Sequence, residues 1–213
     1  MFSPFPRRGI IPESPDGPSR SRARARQKAP RPLTPAQAET LALAFYDDPV
    51  FMWCCPDGVR RRQLLPDFFT AVVDSYLAHD EIYDVPAGVA AAVWAPPGSE
   101  DDEQLPERIG EILQENAERI SVVLSLIAEV HPNAPHHYLF FVGTRPGWQG
   151  RGIGSAVMSP VLEMCDRDEV PAYLEASSEG CKALYLRHGF EVTGEMNLPG
   201  GPPMWPMWRT PRH

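Results

Sequence analysis

Tyr138 to Val157 reads YLFFVGTRPGWQGRGIGSAV. An apolar run leads into a loop with Pro146 and Gly147, then into Gln149-Gly150-Arg151-Gly152-Ile153-Gly154, and then into a helix start. Glycines at alternate positions let a backbone approach something bulky, because no Cβ stands in the way. The first amides of the helix that follows have no intrahelical acceptor, and the helix dipole favours an anion beside them. The stretch therefore predicts a strand, a phosphate cradle and a helix. Its spacing excludes two nucleotide loops. The glycines give G-x-G-x-G rather than the dinucleotide pattern G-x-G-x-x-G, and no Lys-Ser or Lys-Thr pair follows as in a P-loop.

Outward from this stretch, the chain alternates helical and extended patterns. Within the strand, Tyr138, Phe140 and Val142 are expected on one face, Leu139 and Phe141 on the other. A helix is expected over Gly154–Arg167, a strand over Pro171–Ala176, and a short helix over Ser178–Arg187 with Gly189 as a left-handed C-cap. Phe190–Met196 and Met204–Arg209 read as strands around a turn at Leu198–Pro203. Towards the N-terminus, Thr34 and Pro35 predict the cap and first position of a helix over Pro35–Tyr46, stopped by Asp47-Asp48-Pro49. Leu64, Leu65, Phe68, Phe69, Val72, Val73 and Tyr76 fall at helical spacing, with Pro66 expected to break that helix. Ile82–Val85 and Val89–Trp94 predict a hairpin around Pro86-Ala87-Gly88. Pro106 opens a long helix over Glu107–Val130, with Ile109, Ile112, Leu113, Ile120, Val123, Leu124 and Ile127 towards a core. This order implies a mixed α/β chain around one central sheet.

Composition narrows the function classes. Of the 213 residues, 43% are hydrophobic, enough to bury a core of one domain. No apolar run approaches the roughly 20 residues needed to span a bilayer. Cys54, Cys55, Cys165 and Cys181 lack zinc spacing and read as small buried hydrophobes of a reducing, cytoplasmic protein. The net charge of −8 is uneven. Residues 1–31 carry eight Arg or Lys against two acids, which leaves −14 for the rest. Residues 1–32 are Pro- and Arg-rich with no periodic apolar pattern, and are expected to be a disordered basic tail ahead of a domain over residues 33–213. An acidic globule suits a cationic small molecule better than nucleic acid.

The loop Gln149-Gly150-Arg151-Gly152-Ile153-Gly154 matches the (Gln/Arg)-x-x-Gly-x-(Gly/Ala) motif of the GNAT superfamily of N-acetyltransferases. Leu184-Tyr185-Leu186-Arg187-His188-Gly189-Phe190-Glu191 resembles the tyrosine-then-Gly-Phe segment of the same superfamily. Pro171–Ser177, Gly189–Thr193 and Leu198–Trp205, with Ala44-Phe45, Asp48-Pro49 and Val93-Trp94 near the front, look like the puromycin N-acetyltransferase-like group within it. The basic tail has no counterpart there.

The resemblance implies a GNAT fold: a central, mostly antiparallel, splayed sheet of about six or seven strands flanked by helices. It implies acetyl-CoA as co-substrate and no metal. The pyrophosphate is expected on the backbone N–H groups of Gly150, Arg151, Gly152, Ile153, Gly154 and Ser155, with Gln149 in the same motif. The pantetheine arm is expected along Phe140 and Val142, near the thioester where two strands splay. Tyr185 is the expected general acid, since a phenol with a pKa of about 10 can protonate a departing thiolate. Glu175 is the first candidate for the base that deprotonates the acceptor ammonium, and equally a structural carboxylate. His136 and His137 are secondary candidates, and Asp47 and Asp48 stand where such folds contact the acceptor. Cys181 occupies the place of an Asn that often contacts pantetheine, and a thiol is a poor substitute for an amide. The expected reaction is direct acetyl transfer to an amine of a small molecule, by a monomer or homodimer without membrane association. A protein N-terminal or lysine acetyltransferase and a non-catalytic acyl-CoA-binding module remain open alternatives.

Overall fold

The computed structural model describes residues 35–77, 82–84, 88–99 and 102–212. The basic tail, the Thr34 cap and most of the Pro86-Ala87-Gly88 turn lie outside the described residues. Among the described residues, seven α-helices and seven strands follow in the order α1 (Pro35–Ala44), α2 (Pro49–Cys54), α3 (Gly58–Leu77), β1 (Ile82–Asp84), β2 (Ala90–Ala95), α4 (Leu105–Leu113), α5 (Ala117–Val130), β3 (His137–Thr144), α6 (Ile153–Arg167), β4 (Ala172–Ala176), α7 (Glu179–Arg187), β5 (Glu191–Val192), β6 (Met196–Asn197) and β7 (Pro203–Arg209). The strands lie in the order β1-β2-β3-β4-β7-β5, with β6 also paired to β7. All neighbours are antiparallel except β3 and β4. The expected hairpin is present, with Ile82 opposite Val93.

Four expectations need correction. The first helix ends at Ala44, and Asp48 caps a separate helix, α2, by accepting from the amides of Val50 and Phe51. Asp48-Pro49 is an N-cap followed by Pro at the first helical position, so the stop signal is also a start signal. Pro66 does not break α3, which runs from Gly58 to Leu77. A helix-interior proline costs about 3 kcal/mol. Burial of Leu64, Leu65, Phe68, Phe69, Val72 and Val73 outweighs it, at about 1.5–3 kcal/mol for each large side chain. The long helix expected over Glu107–Val130 is two helices joined by a 3-10 turn at Gln114–Asn116. Gln114 adopts φ +50° there, and its side chain accepts a hydrogen bond from Arg60 of α3. The bend lets α4 and α5 bury separate faces through Ile109 and Leu113, and through Ile120, Val123 and Ile127. Finally, Phe190–Met196 is two short strands. Pro206, opposite the gap between them, has no amide to give the ladder; Thr193 donates its own amide to the Pro206 carbonyl.

The strand at the centre also departs from strict alternation. The β2–β3 register passes from Val93 opposite Phe141 to Trp94 opposite Leu139, so Phe140 is an inserted residue. Such a bulge re-aims side chains by one position. Leu139 and Val142 therefore share one face, against Trp94 and α6. Phe141 joins Phe45, Phe51, Phe68 and Phe69 on the other, with ring centroids 5.0–6.3 Å apart. Helices α1–α5 cover this second face, and α6 and α7 cover the first.

Candidate active site

The site lies where β3 and β4 part. The two strands run parallel but pair only at His137–Ala172 and Tyr138–Tyr173. Beyond Tyr138 they make no ladder pairs, and a slot opens between their C-terminal halves. The splay expected for this sheet is present.

At one end of the slot lies the Gly-rich loop. Gly147, Gly150 and Gly152 take φ values of +81°, +73° and +76°. A Cβ built on Gly150 or Gly152 meets no protein atom within 4 Å. These two positions thus require glycine for the left-handed backbone rather than for space within the protein. Gly152 caps α6 without a side-chain hydrogen bond, so the first amides of the helix are left to whatever enters the groove. Gln149 donates to the Thr144 carbonyl at 3.2 Å and ties the loop to the end of β3. Ser155 Oγ lies 2.8 Å from His188 Nε2, which joins the α6 start to the end of α7. Burial, with Arg187, Arg209 and Arg212 nearby, holds the His188 imidazole below its usual pKa and neutral.

A groove of about 760 Å³ runs from this loop to the turn between α1 and α2. Val142, Gln149, Gly150, Gly152, Ile153, Gly154, Ser155, Cys181 and Tyr185 line it, as do Asp47 and Asp48. The uncapped amides of α6 and the positive-φ glycines fit a pyrophosphate, and the open edge of the splay fits an extended arm. Arg151 is expected to act through its backbone N–H, and its side chain turns elsewhere. Its guanidinium sits over the Trp148 ring, 5.2 Å from the centroid, rather than in the groove.

A second space lies on the other side of the splay. It is a cavity of about 90 Å³, walled by the phenylalanines of the core, by α4 and α5, and by Phe140, Tyr138 and Glu175. Groove and cavity share Phe45, Asp48, Val142, Cys181 and Tyr185. Phe140 and Glu175 therefore belong to the cavity, not to the groove.

Burial sets the chemistry of the shared wall. Tyr185 is 6% exposed. Burial first, then the neighbouring Cys181 and Asp48, holds its phenol well above the usual value and protonated. Burial also raises the Cys181 thiol and the Asp48 carboxyl, the latter opposed by the hydrogen bonds from Ser177, Phe51 and Val50. Asp48 is thus committed on both oxygens: to the α2 amides, and to the Ser177 hydroxyl.

Glu175 is differently placed. Tyr138 donates its hydroxyl to Glu175 Oε2 at 2.7 Å. Oε1 is buried without a hydrogen-bond partner and lies 3.9 Å from His131 Nδ1. Burial and the nearby carboxylate hold the phenols of Tyr138 and Tyr173 above their usual value. His131 was not legible as a site residue. It follows α5 directly, in a segment with two other histidines, and only the fold sets its ring edge-on to Tyr138 and Tyr173. His136 bonds the Ala134 carbonyl through Nδ1, and neither His136 nor His137 lines the groove or the cavity. Both are outside the site.

A splayed parallel pair with an uncapped helix start at one end and a tyrosine at the junction defines an acyltransferase scaffold. A family model described as the acetyltransferase (GNAT) domain matches residues 100–210. The chain belongs to the GNAT acetyltransferase family and is an acyltransferase. Members of this family use acetyl-CoA as co-substrate. The chain is 26% identical over 169 residues to an uncharacterized N-acetyltransferase of Schizosaccharomyces pombe, covering 72% of this chain and 68% of that one. Among solved structures, it is similar to a histone acetyltransferase HPA2 and related acetyltransferase from Corynebacterium glutamicum, with 26% identity, a TM-score of 0.62, and 84% and 91% of the two chains covered. A polyamine N-acetyltransferase of Drosophila melanogaster shares the fold at 17% identity and a TM-score of 0.53, covering 84% and 98%. No helix among the described residues is long and apolar enough to cross a membrane.

Proposed function

We propose that this chain transfers acetyl from acetyl-CoA directly to the amine of a small molecule. The observation that carries the reading is the junction. A donor-sized groove and a small cavity meet at Val142, Cys181 and Tyr185, beside the opening between β3 and β4. A thioester arm lying in the slot would present its carbonyl there. The α6 amides from Ile153 to Ser155 would hold the pyrophosphate, with Gln149 keeping the loop in place. Cys181 lines the groove where an amide often stands, so the contact it makes is one of packing rather than a strong hydrogen bond.

Glu175, on the cavity wall, takes the proton from the acceptor ammonium, since an ammonium has no lone pair to attack with. Tyr138 fixes the carboxylate by its hydrogen bond to Oε2. His131 Nδ1 lies behind Oε1, at 3.9 Å. The free amine attacks the acetyl carbonyl, the tetrahedral adduct collapses, and the thiolate leaves. Tyr185, held protonated, gives its proton as negative charge develops on sulfur, and the proton that the adduct nitrogen must lose to become the neutral amide returns to the phenolate by way of the groove. Ion-pair chemistry at Asp48 is not invoked, because that carboxylate already holds α2 and Ser177.

The small size of the cavity, with its α4–α5 wall, supports a small-molecule acceptor over a protein substrate. The likeness of the C-terminal segments to the puromycin N-acetyltransferase-like group supports the same choice. The test is release of CoA thiol from acetyl-CoA on addition of amines. Amine-dependent release with acetylated amine as product is the expected result. Saturable stabilisation by acetyl-CoA without turnover of any amine would instead mark a binding module.

A further inference from the structure

The start of α6 and the end of α7 are tied by side chains as well as by the sheet beneath them. Ser155 is the third residue of α6, a position whose side chain commonly folds back onto the helix cap. Its hydroxyl lies instead 2.8 Å from His188 Nε2. His188 is itself held from behind. Its amide donates to the Tyr185 carbonyl, and its carbonyl accepts from Arg209 Nε at 2.9 Å. Arg209 is buried and donates to Asp166 of α6 at 2.7 Å. The neutral imidazole has one donor nitrogen and one acceptor nitrogen. Either Ser155 or His188 can give the hydrogen between them. An anion on the α6 amides removes that freedom. A hydroxyl has one hydrogen to give, an anion only accepts, and Ser155 lines the groove. The Oγ hydrogen then goes to the anion, and Nε2–H becomes the donor to Oγ.

We infer that His188 is a positioning residue of the donor site: by giving Nε2–H to Ser155 Oγ, it turns the Ser155 hydroxyl hydrogen to the pyrophosphate of CoA, as a side-chain donor beside the α6 amides. A hydrogen bond to a charged acceptor is stronger than a neutral one, and a donor behind the hydroxyl polarises it further. His188 is also the C-cap of α7, the helix that carries Tyr185. The link therefore joins the donor's phosphates to the helix at the junction of groove and cavity. The inference rests on the placement of the pyrophosphate at α6 and adds two side chains to it.

The experiment is isothermal titration of the full chain with CoA, and with pantetheine, which lacks the pyrophosphate. His188→Leu and Ser155→Ala are each expected to weaken CoA binding about tenfold, the double variant no more than either, and pantetheine binding not at all. His188→Gln, whose amide nitrogen can take the place of Nε2, is expected to bind CoA within about threefold of the unaltered chain. Unchanged CoA affinity in His188→Leu overturns the inference. So does an equal loss for pantetheine, or a His188→Leu loss that adds in full to that of Ser155→Ala, since either means that His188 acts only through packing. Ser155→Ala removes a single oxygen and keeps the test open should His188→Leu not fold: unchanged CoA affinity there overturns the inference as well. An unaltered chain that binds CoA no better than pantetheine overturns the placement of the pyrophosphate, and this inference with it.

Discussion

Tyr138 and Glu175 face each other across the splay of β3 and β4, joined by a 2.7 Å hydrogen bond from the phenol to Oε2. Tyr138 belongs to the last ladder pair, Tyr138–Tyr173, and Glu175 stands two residues past it on β4. The bond holds one carboxylate oxygen and leaves the other turned to neighbours that do not bond it. A purely structural carboxylate would be expected to use both. The arrangement suits a base whose position is fixed by a donor that does not itself need to move.

Replacing Glu175 by Gln keeps its volume and the contact with Tyr138 but removes the base. General-base catalysis contributes roughly 10²–10⁴-fold. The expected outcome is a fall in kcat of about 10²-fold with the KM for acetyl-CoA unchanged. Steady-state kinetics at saturating amine check it, and an unaltered kcat would assign Glu175 to structure alone.

Tyr185→Phe removes the proposed proton donor and little else, because the ring still packs on Phe190 at 5.9 Å. A loss of about 10²-fold in kcat is expected, with the unfolding midpoint within a few degrees of the original. The phenol is held well above 10 by burial, so it keeps its proton through pH 10. The pH profile of kcat should therefore show no alkaline fall from Tyr185 below that pH. A fall near pH 9 that disappears in the Phe variant would refute this.

Gly152→Ala places a side chain at φ +76°. The left-handed backbone costs about 1–2 kcal/mol for an L residue, or about 2–8 °C in midpoint for a chain of this size. The added methyl meets no protein atom, so packing adds nothing to that cost. The KM for acetyl-CoA should rise more than the stability falls, because Gly152 caps the helix whose amides line the groove. Isothermal titration with CoA alongside thermal melts separates the two effects.

Tyr138, Tyr173 and Tyr185 all have phenols raised above the ordinary value, burial being the largest cause in each. The unfolded chain releases these protons near pH 10, while the folded chain still holds them. The stability they contribute is thus fully present below pH 10 and is lost as pH rises beyond it. Urea midpoints between pH 8 and 11 should be flat at first and then fall; a midpoint still flat at pH 11 contradicts the burial of these phenols.

Removal of residues 1–32 is expected to leave kcat and the melting temperature unchanged, because a Pro- and Arg-rich segment without apolar periodicity has nothing to bury. A melting temperature lowered by several degrees would show that the segment packs on the domain.

Much of the site could be read along the chain. The glycine loop carries its own reason: alternate glycines before a helix set left-handed turns and leave amides uncapped, and both are local properties of backbone. Tyr185 was named from the resemblance of Leu184–Glu191 to the family's tyrosine-then-Gly-Phe segment, and the fold puts it on the wall shared by groove and cavity. Asp48 was legible only in part. It stands before a proline, and that spacing signals an N-cap, yet its closure onto Ser177 links residues far apart in sequence. Phe140 was placed on the wrong footing, because the bulge that re-aims it depends on the register with β2. His131 carried no signal at all.

The sequence by itself determined the strand–loop–helix run from β3 to α6, the following β4 and α7, and the family, since each is written in spacings of a few residues. Tertiary structure alone decided which side of the splay each polar group faces. It put Phe140 and Glu175 on the cavity and Val142 on the wall that cavity and groove share, set the Arg151 guanidinium over Trp148, committed both oxygens of Asp48 and left one of Glu175 without a hydrogen-bond partner. The reason is physical. Backbone conformation follows from neighbours in the chain, whereas burial, charge pairing and the phase of a bulged strand follow from residues that meet only when the sheet closes.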